Sequence, residues 1–211
     1  NDSIDGGYGN DELNGGAGFM VREGVLDGVD ACLVMHVQPS IPFGRVSISK
    51  RNACASSDVF RIDLIGRGGH GAQPQNAIDP VPAAAELIAA IHMLPTREIG
   101  AVETCVLSIG RVETPGSVWN AVAEKVHIEG GIRTFDESVR EHLNRRVAEL
   151  AEHIAKAGRC TAVHEREVGY APCLNDEALA ETLAAICAET LGKENVVLTA
   201  TPAMTSEDCG A

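Results

Sequence analysis

Asp58-Val59-Phe60-Arg61-Ile62-Asp63-Leu64-Ile65-Gly66 is the stretch around which the rest of the chain is read. Phe60, Ile62 and Leu64 alternate with Arg61 and Asp63, the period of a strand with one buried and one wetted face. Gly66 ends the strand and opens the turn Gly66-Arg67-Gly68-Gly69-His70-Gly71-Ala72-Gln73-Pro74. Glycines at that density are expected to let the backbone adopt positive φ and approach a ligand closely. His70 is then presented outward on a loop. Asp79 caps a helix over 79–94, with Pro80 at its first position and Val81, Ala84, Ala85, Ile88 and Ile91 turned inward.

The pattern continues downstream. Residues 102–112 predict a second strand and residues 122–133 a third. In the third, Val122, Val126, Ile128 and Ile132 share one face, while Lys125, His127, Glu129 and Arg133 share the other. Residues 136–156 predict an amphipathic helix with the stripe Val139, Leu143, Val147, Leu150 and Ile154. Residues 160–168 close the unit as a fourth strand. The order β-α-β-β-α-β is ferredoxin-like and spans residues 56–170. Both helices must cover one face of the antiparallel sheet.

The flanks read as parts of a second α/β domain that this unit interrupts. Residues 19–55 predict a short helix, an apolar strand over 31–37 and a further strand. Residues 171–211 hold a helix capped by Asn175, with Leu179, Leu183 and Ile186 inward and Gly192 as its stop. A chain of 211 residues suits one to two domains. Its net charge of -13 disfavours nucleic acid and anionic membranes, which need a basic face. No apolar run reaches the roughly 18 residues of a membrane span, and the acidic, Gly-rich start is unlike a signal peptide. A cytoplasmic location is the expectation. Seven scattered cysteines without a C-x-x-C pair read as reduced thiols, mostly small buried hydrophobes.

Residues 1–18 differ from the rest. Gly6 to Asn14 fits the nonapeptide G-G-x-G-x-D-x-U-x, which resembles the RTX-type calcium-binding repeat. Gly carbonyls and the Asp carboxylate would hold Ca²⁺ in such a repeat, and a fusion of that type would point to secretion. Fewer than two copies are present, where about three are needed to bury anything. A non-catalytic dimerisation or binding module with a calcium-binding remnant is therefore one reading of the chain.

The other reading rests on several motifs in register. They are Gly24-Val25-Leu26-Asp27-Gly28-Val29-Asp30-Ala31, Met35-His36-Val37, the loop over 68–74 with Ile78-Asp79-Pro80, and Trp119-Asn120-Ala121-Val122. Gly131-Ile132-Arg133-Thr134-Phe135-Asp136 and Met204-Thr205-Ser206-Glu207-Asp208 follow. From about residue 15 onward the chain resembles the metal-dependent amidohydrolases: the aminoacylase, hippurate hydrolase and auxin-conjugate hydrolase branch of dinuclear-zinc metallopeptidases. The resemblance implies hydrolysis of the amide of N-acyl amino acids by a divalent metal, zinc above all, in a homodimer joined through the ferredoxin-like lid domain. It implies that His36 ligates metal, and that His70 donates to the oxyanion in a partner subunit's site. Asn120 would contact substrate, and Arg133 would clamp the substrate carboxylate. Taken alone, His36 also reads as a core histidine and Arg133 as a solvated charge.

Counting back from Met20 places Asp11 and Glu12 at the family's general base and second metal ligand. The calcium-repeat reading claims the same two residues. The family's His-Asp-Gly-His segment and its final metal-binding histidine have no counterpart in this sequence, and Cys209 stands where an aromatic is usual. The expectation is a fragment that is inactive as it stands.

Overall fold

The computed structural model describes residues 17–199 and 202–208. In chain order they form α1 (Ala17–Arg22), β1 (Val46–Ser49), β2 (Asn52–Cys54), β3 (Asp58–Ile65), β4 (Gly69–His70), α2 (Pro80–Arg97) and β5 (Cys105–Glu113). Then come β6 (Ala121–Val122), β7 (Lys125–Thr134), α3 (Glu137–Ala157), β8 (Thr161–Glu167), β9 (Cys173–Leu174), α4 (Glu177–Leu191) and β10 (Val196–Thr199). The fold is mixed α/β. Strands β5, β7, β3 and β8 lie side by side in that order, and every neighbouring pair is antiparallel.

Alternation along the strands builds the core. Phe60, Ile62 and Leu64 of β3 and Ile128 and Ile132 of β7 are fully buried on one face. Ala84, Leu87 and Ile91 of α2 and Leu143, Val147 and Ala151 of α3 cover that same face. Each large side chain so buried contributes about 1.5–3 kcal/mol. The opposite face carries ion pairs across the strands. Arg61 meets Glu129 at 2.9 Å and Glu167 at 2.7 Å, and Asp63 meets Lys125 at 3.0 Å and His127 at 2.7 Å. Lys125 and Glu129 are thus both paired. Outside this sheet, β1 and β10 pair in parallel with α4 packed against them.

Several local expectations change. The apolar run over 31–37 forms no strand, and Leu33, Val34, Met35 and Val37 are exposed. A mostly apolar run reads as a strand buried on both faces, yet no described strand pairs with it. In α2 the buried stripe is Ala83, Ala84, Leu87, Ile91 and Leu94, while Val81 and Ala85 face solvent. The helix also continues through Pro95 to Arg97. Proline there forfeits a single hydrogen bond in the last turn, which the Glu98 amide closes onto the Leu94 carbonyl at 3.0 Å. The N-cap of α4 is Asp176, whose carboxylate accepts from the Leu179 amide at 2.8 Å. Asn175 instead bonds the Ser49 carbonyl. Ile186 is exposed because Leu179, Ala180, Leu183 and Ala184 define the inward stripe.

Asp58, at the start of β3, is the polar centre of the unit. It is buried, and its Oδ1 accepts from Arg140 Nη2 at 2.5 Å and the Gly169 amide at 3.1 Å. Its Oδ2 accepts from Arg140 Nε at 3.1 Å, Asn144 Nδ2 at 2.7 Å and Arg166 Nη2 at 2.9 Å. Burial pushes this carboxyl up, but the hydrogen bonds and charge of Arg140, the Gly169 amide and Arg166 outweigh it. The net result lies below the usual carboxylate value.

Asp58→Ala leaves buried Arg140 with only the exposed Glu137 carboxylate and the Gly169 carbonyl to meet it, and equilibrium urea unfolding is expected to register a loss of about 3 kcal/mol. Since the folded pKa lies below the unfolded one, this contribution is present above about pH 4 and fades as pH falls through the folded value. Asp58→Asn should remove that part of the acid dependence.

Candidate active site

The turn after β3 holds His70 by backbone pairing. Gly69 and His70 of β4 pair with Val122 and Ala121 of β6. The Gly71 amide donates to the Asn120 carbonyl at 2.9 Å. His70 and Asn120 therefore share one tip, with both side chains exposed. The glycines from Gly66 to Gly71 serve close approach and not positive φ, which none of them adopts. A Cβ on Gly66 would lie 2.1 Å from the Ile78 carbonyl oxygen, and one on Gly71 2.6 Å from that of Asn120. His70 Nδ1 accepts from the Ala72 amide at 3.1 Å. The neutral ring accordingly carries its proton on Nε2, which is left as an outward donor.

Arg133 lies far from that tip. It is near the end of β7, and β4 and β6 sit beyond the beginning of the same strand. From Lys125 to Arg133 an antiparallel strand advances roughly 27 Å at about 3.4 Å per residue. Arg133 Nη1 donates to the Met204 carbonyl at 3.3 Å. Among the described residues no carboxylate pairs with Arg133, unlike the other charged groups on this face of β7. Arg133, Met204, Thr205 and Ser206 line a wide-open depression of about 610 Å³.

The same short segment reaches His36. The Glu207 carboxylate contacts His36 Nε2. With Nε2–H donated to Glu207, the neutral imidazole keeps its lone pair on Nδ1. His36 is not at the end of a strand, because residues 31–38 form none; it stands on an exposed loop. Asp208 accepts from the Ala17 amide at 2.9 Å. That bond, followed by the Glu207 side chain, holds the Asp208 carboxyl below its usual value. Sequence reasoning gave no role to Glu207 or Asp208. The signal was present, since both belong to the Met204–Asp208 motif.

The chain thus brings His36, Glu207, the Met204–Ser206 wall and Arg133 to one region, and keeps His70 and Asn120 apart from them. Asp11 and Glu12 lie outside the described residues, as does the nonapeptide of residues 6–14. Among the described residues no three His, Cys, Asp or Glu side chains form a group able to hold a metal ion. The imidazole nitrogen of His36 beside a carboxylate is a donor type that suits a divalent metal such as zinc.

The sequence pattern of peptidase family M20/M25/M40 matches residues 7–211, and the chain belongs to that family. The match takes in Asp11 and Glu12. The chain is 34% identical over 169 residues to an N-acetyl-L-cysteine deacetylase of Bacillus subtilis, covering 80% of this chain and 40% of that protein. It is 32% identical over 202 residues to the IAA-amino acid hydrolase ILR1-like 4 of Arabidopsis thaliana, covering 94% and 46%. The chain spans about half the length of the curated relatives it matches.

Among solved structures, the Bacillus subtilis YxeP protein, described as a dinuclear metal binding peptidase from the M20 family, superimposes with a TM-score of 0.72. It is 26% identical, over 92% of this chain and 48% of that one. A protein from methicillin resistant Staphylococcus aureus superimposes at 0.82 with 27% identity, over 94% and 51%.

Gly71→Ala must push Asn120 away from the His70 turn. The expected cost is about 1–3 kcal/mol, measured by urea unfolding; a change below about 0.5 kcal/mol would contradict the close-approach reading.

Proposed function

We propose that this protein hydrolyses the amide bond of N-acyl amino acids in a metal-dependent reaction, in place of the expectation that the chain is inactive as it stands. The observation that carries the proposal is the Met204–Asp208 segment, which meets a guanidinium at one end and an imidazole at the other. Arg133 receives the substrate carboxylate, for which its planar fork is suited. Among the described residues its charge is otherwise met by a backbone carbonyl alone. His36 is a metal ligand and Glu207 its orienting carboxylate, the arrangement by which a ligating imidazole is fixed in tautomer and direction. Glu12 is the proposed second protein ligand and Asp11 the general base. A divalent cation, zinc on the strength of this donor set, supplies Lewis acidity and lowers the pKa of water when bound.

His70 donates from Nε2–H to the oxygen that gains negative charge as water adds to the amide carbon. The Ala72 amide on Nδ1 supports this role by fixing the ring's tautomer. Asn120 adds polar contacts to substrate beside it. The length of β7 separates these two groups from Arg133, so His70 serves the site of a second copy in a homodimer. The ferredoxin-like unit of residues 56–170 is then a dimerisation lid carried by a catalytic domain built from residues 19–55 and 171–211. Trp119, almost fully exposed beside Asn120, gives the tip an apolar surface for another copy to cover.

Complementation tests this arrangement. His70→Ala and His36→Ala should each abolish hydrolysis of N-acetyl amino acids. Mixed and allowed to exchange subunits, the two should recover roughly a quarter of wild-type activity, because half of the dimers keep one intact site. No recovery despite subunit exchange, shown by differently tagged copies, would overturn action in trans.

A further inference from the structure

Two cysteines that the proposed chemistry does not use face each other where the chain enters and leaves the four-stranded sheet. Strand β2 runs just before β3, and β9 follows β8. These short strands pair antiparallel, with Asn52 opposite Leu174 and Cys54 opposite Cys173. Ala53 is the extra residue of a bulge between the two pairs. Opposed residues of an antiparallel pair have Cα atoms about 4.5–5.5 Å apart. A disulfide requires about 4.4–6.8 Å.

We propose that Cys54 and Cys173 form a reversible disulfide when the protein meets a peroxide. One sulfur attacks the peroxide O–O bond, becoming a sulfenic acid while the departing oxygen leaves as water. The second sulfur then attacks the sulfenic sulfur, and the hydroxyl leaves with the remaining thiol proton as a second water. Two thiols are oxidised by two electrons in total, and one peroxide is reduced to two waters. A thiol reductant restores both cysteines by exchange.

The surroundings suit a staple at this point. Both side chains are half-buried, within reach of a small oxidant. Burial pushes the Cys54 thiol up, against a hydrogen bond with Thr205. On the other side of β2, the Ala53 carbonyl accepts from the Ala203 amide at 3.0 Å, and the Ala55 amide donates to the Thr205 carbonyl at 2.9 Å. A covalent link from β2 to β9 therefore braces the two crossings into the sheet and the Met204–Ser206 wall beside Arg133.

Mapping the wild-type chain tests the proposal without any substitution. The protein is treated with stoichiometric hydrogen peroxide, alkylated with N-ethylmaleimide and digested with trypsin. The expected product joins peptides 52–61 and 167–193, with fragment ions placing the link on Cys173 and not Cys187. It disappears with dithiothreitol, and the oxidised protein melts at least about 5 °C higher than the reduced one. Recovery of Cys54 and Cys173 as alkylated thiols or sulfinic acids, or linkage of either to another cysteine, would overturn it.

Discussion

A single buried carboxylate determines how the parts of this chain meet. Asp58 stands where the chain enters β3 and draws together Arg140 and Asn144 of α3, Arg166 of β8 and the Gly169 amide just past β8. A charge taken out of water is costly unless its lone pairs are filled. Here they are filled by groups from two stretches of sequence, residues 140–144 and 166–169, both distant from Asp58. Satisfying Asp58 therefore requires the first strand, the second helix and the last strand to be in register at once. The apolar face does most of the stabilising, but hydrophobic contact is tolerant of small slips. The carboxylate is not.

That fixed corner lies at the end of the sheet where Arg133 projects. On this face of β7, Lys125, His127 and Glu129 are each held by a side chain of β3. Arg133 is held by the Met204 carbonyl, which positions the guanidinium without neutralising it. Three residues beyond Met204, Glu207 meets His36. The proposed site thus depends on one short segment that orients a cation for a carboxylate and an imidazole for a metal. His70 and Asn120 sit at the opposite end of β7, and one rigid strand cannot bring the two ends together. A second copy supplies the missing end in the proposed reading.

Legibility in the sequence followed the strength of local patterning. The alternation of Phe60, Ile62 and Leu64 and the stripe from Val139 to Ile154 each had one periodic solution, and the structure has them. Val81 and Ala85 were misplaced because small residues on a helix leave the stripe's rotation open by one position. The run over 31–37 was misread because an apolar run carries no information about whether a neighbouring strand exists. Gly66 and Gly71 were read as conformational glycines. Only the fold shows that backbone carbonyls of Ile78 and Asn120 occupy the space of their missing side chains. His36, Arg133 and His70 were singled out as candidates through motifs in register. Glu207 went without a role because its meaning lies in contact with a residue far away in sequence.

The central claim is that the chemistry is metal-dependent amide hydrolysis, and chelation tests it most directly. Protein stripped with EDTA and dialysed is assayed on N-acetyl amino acids before and after zinc is returned. The account predicts that hydrolysis is lost on stripping and regained with metal in the wild type, but not in a His36→Ala variant. Hydrolysis that persists in metal-free protein, or that zinc restores equally without His36, would contradict it.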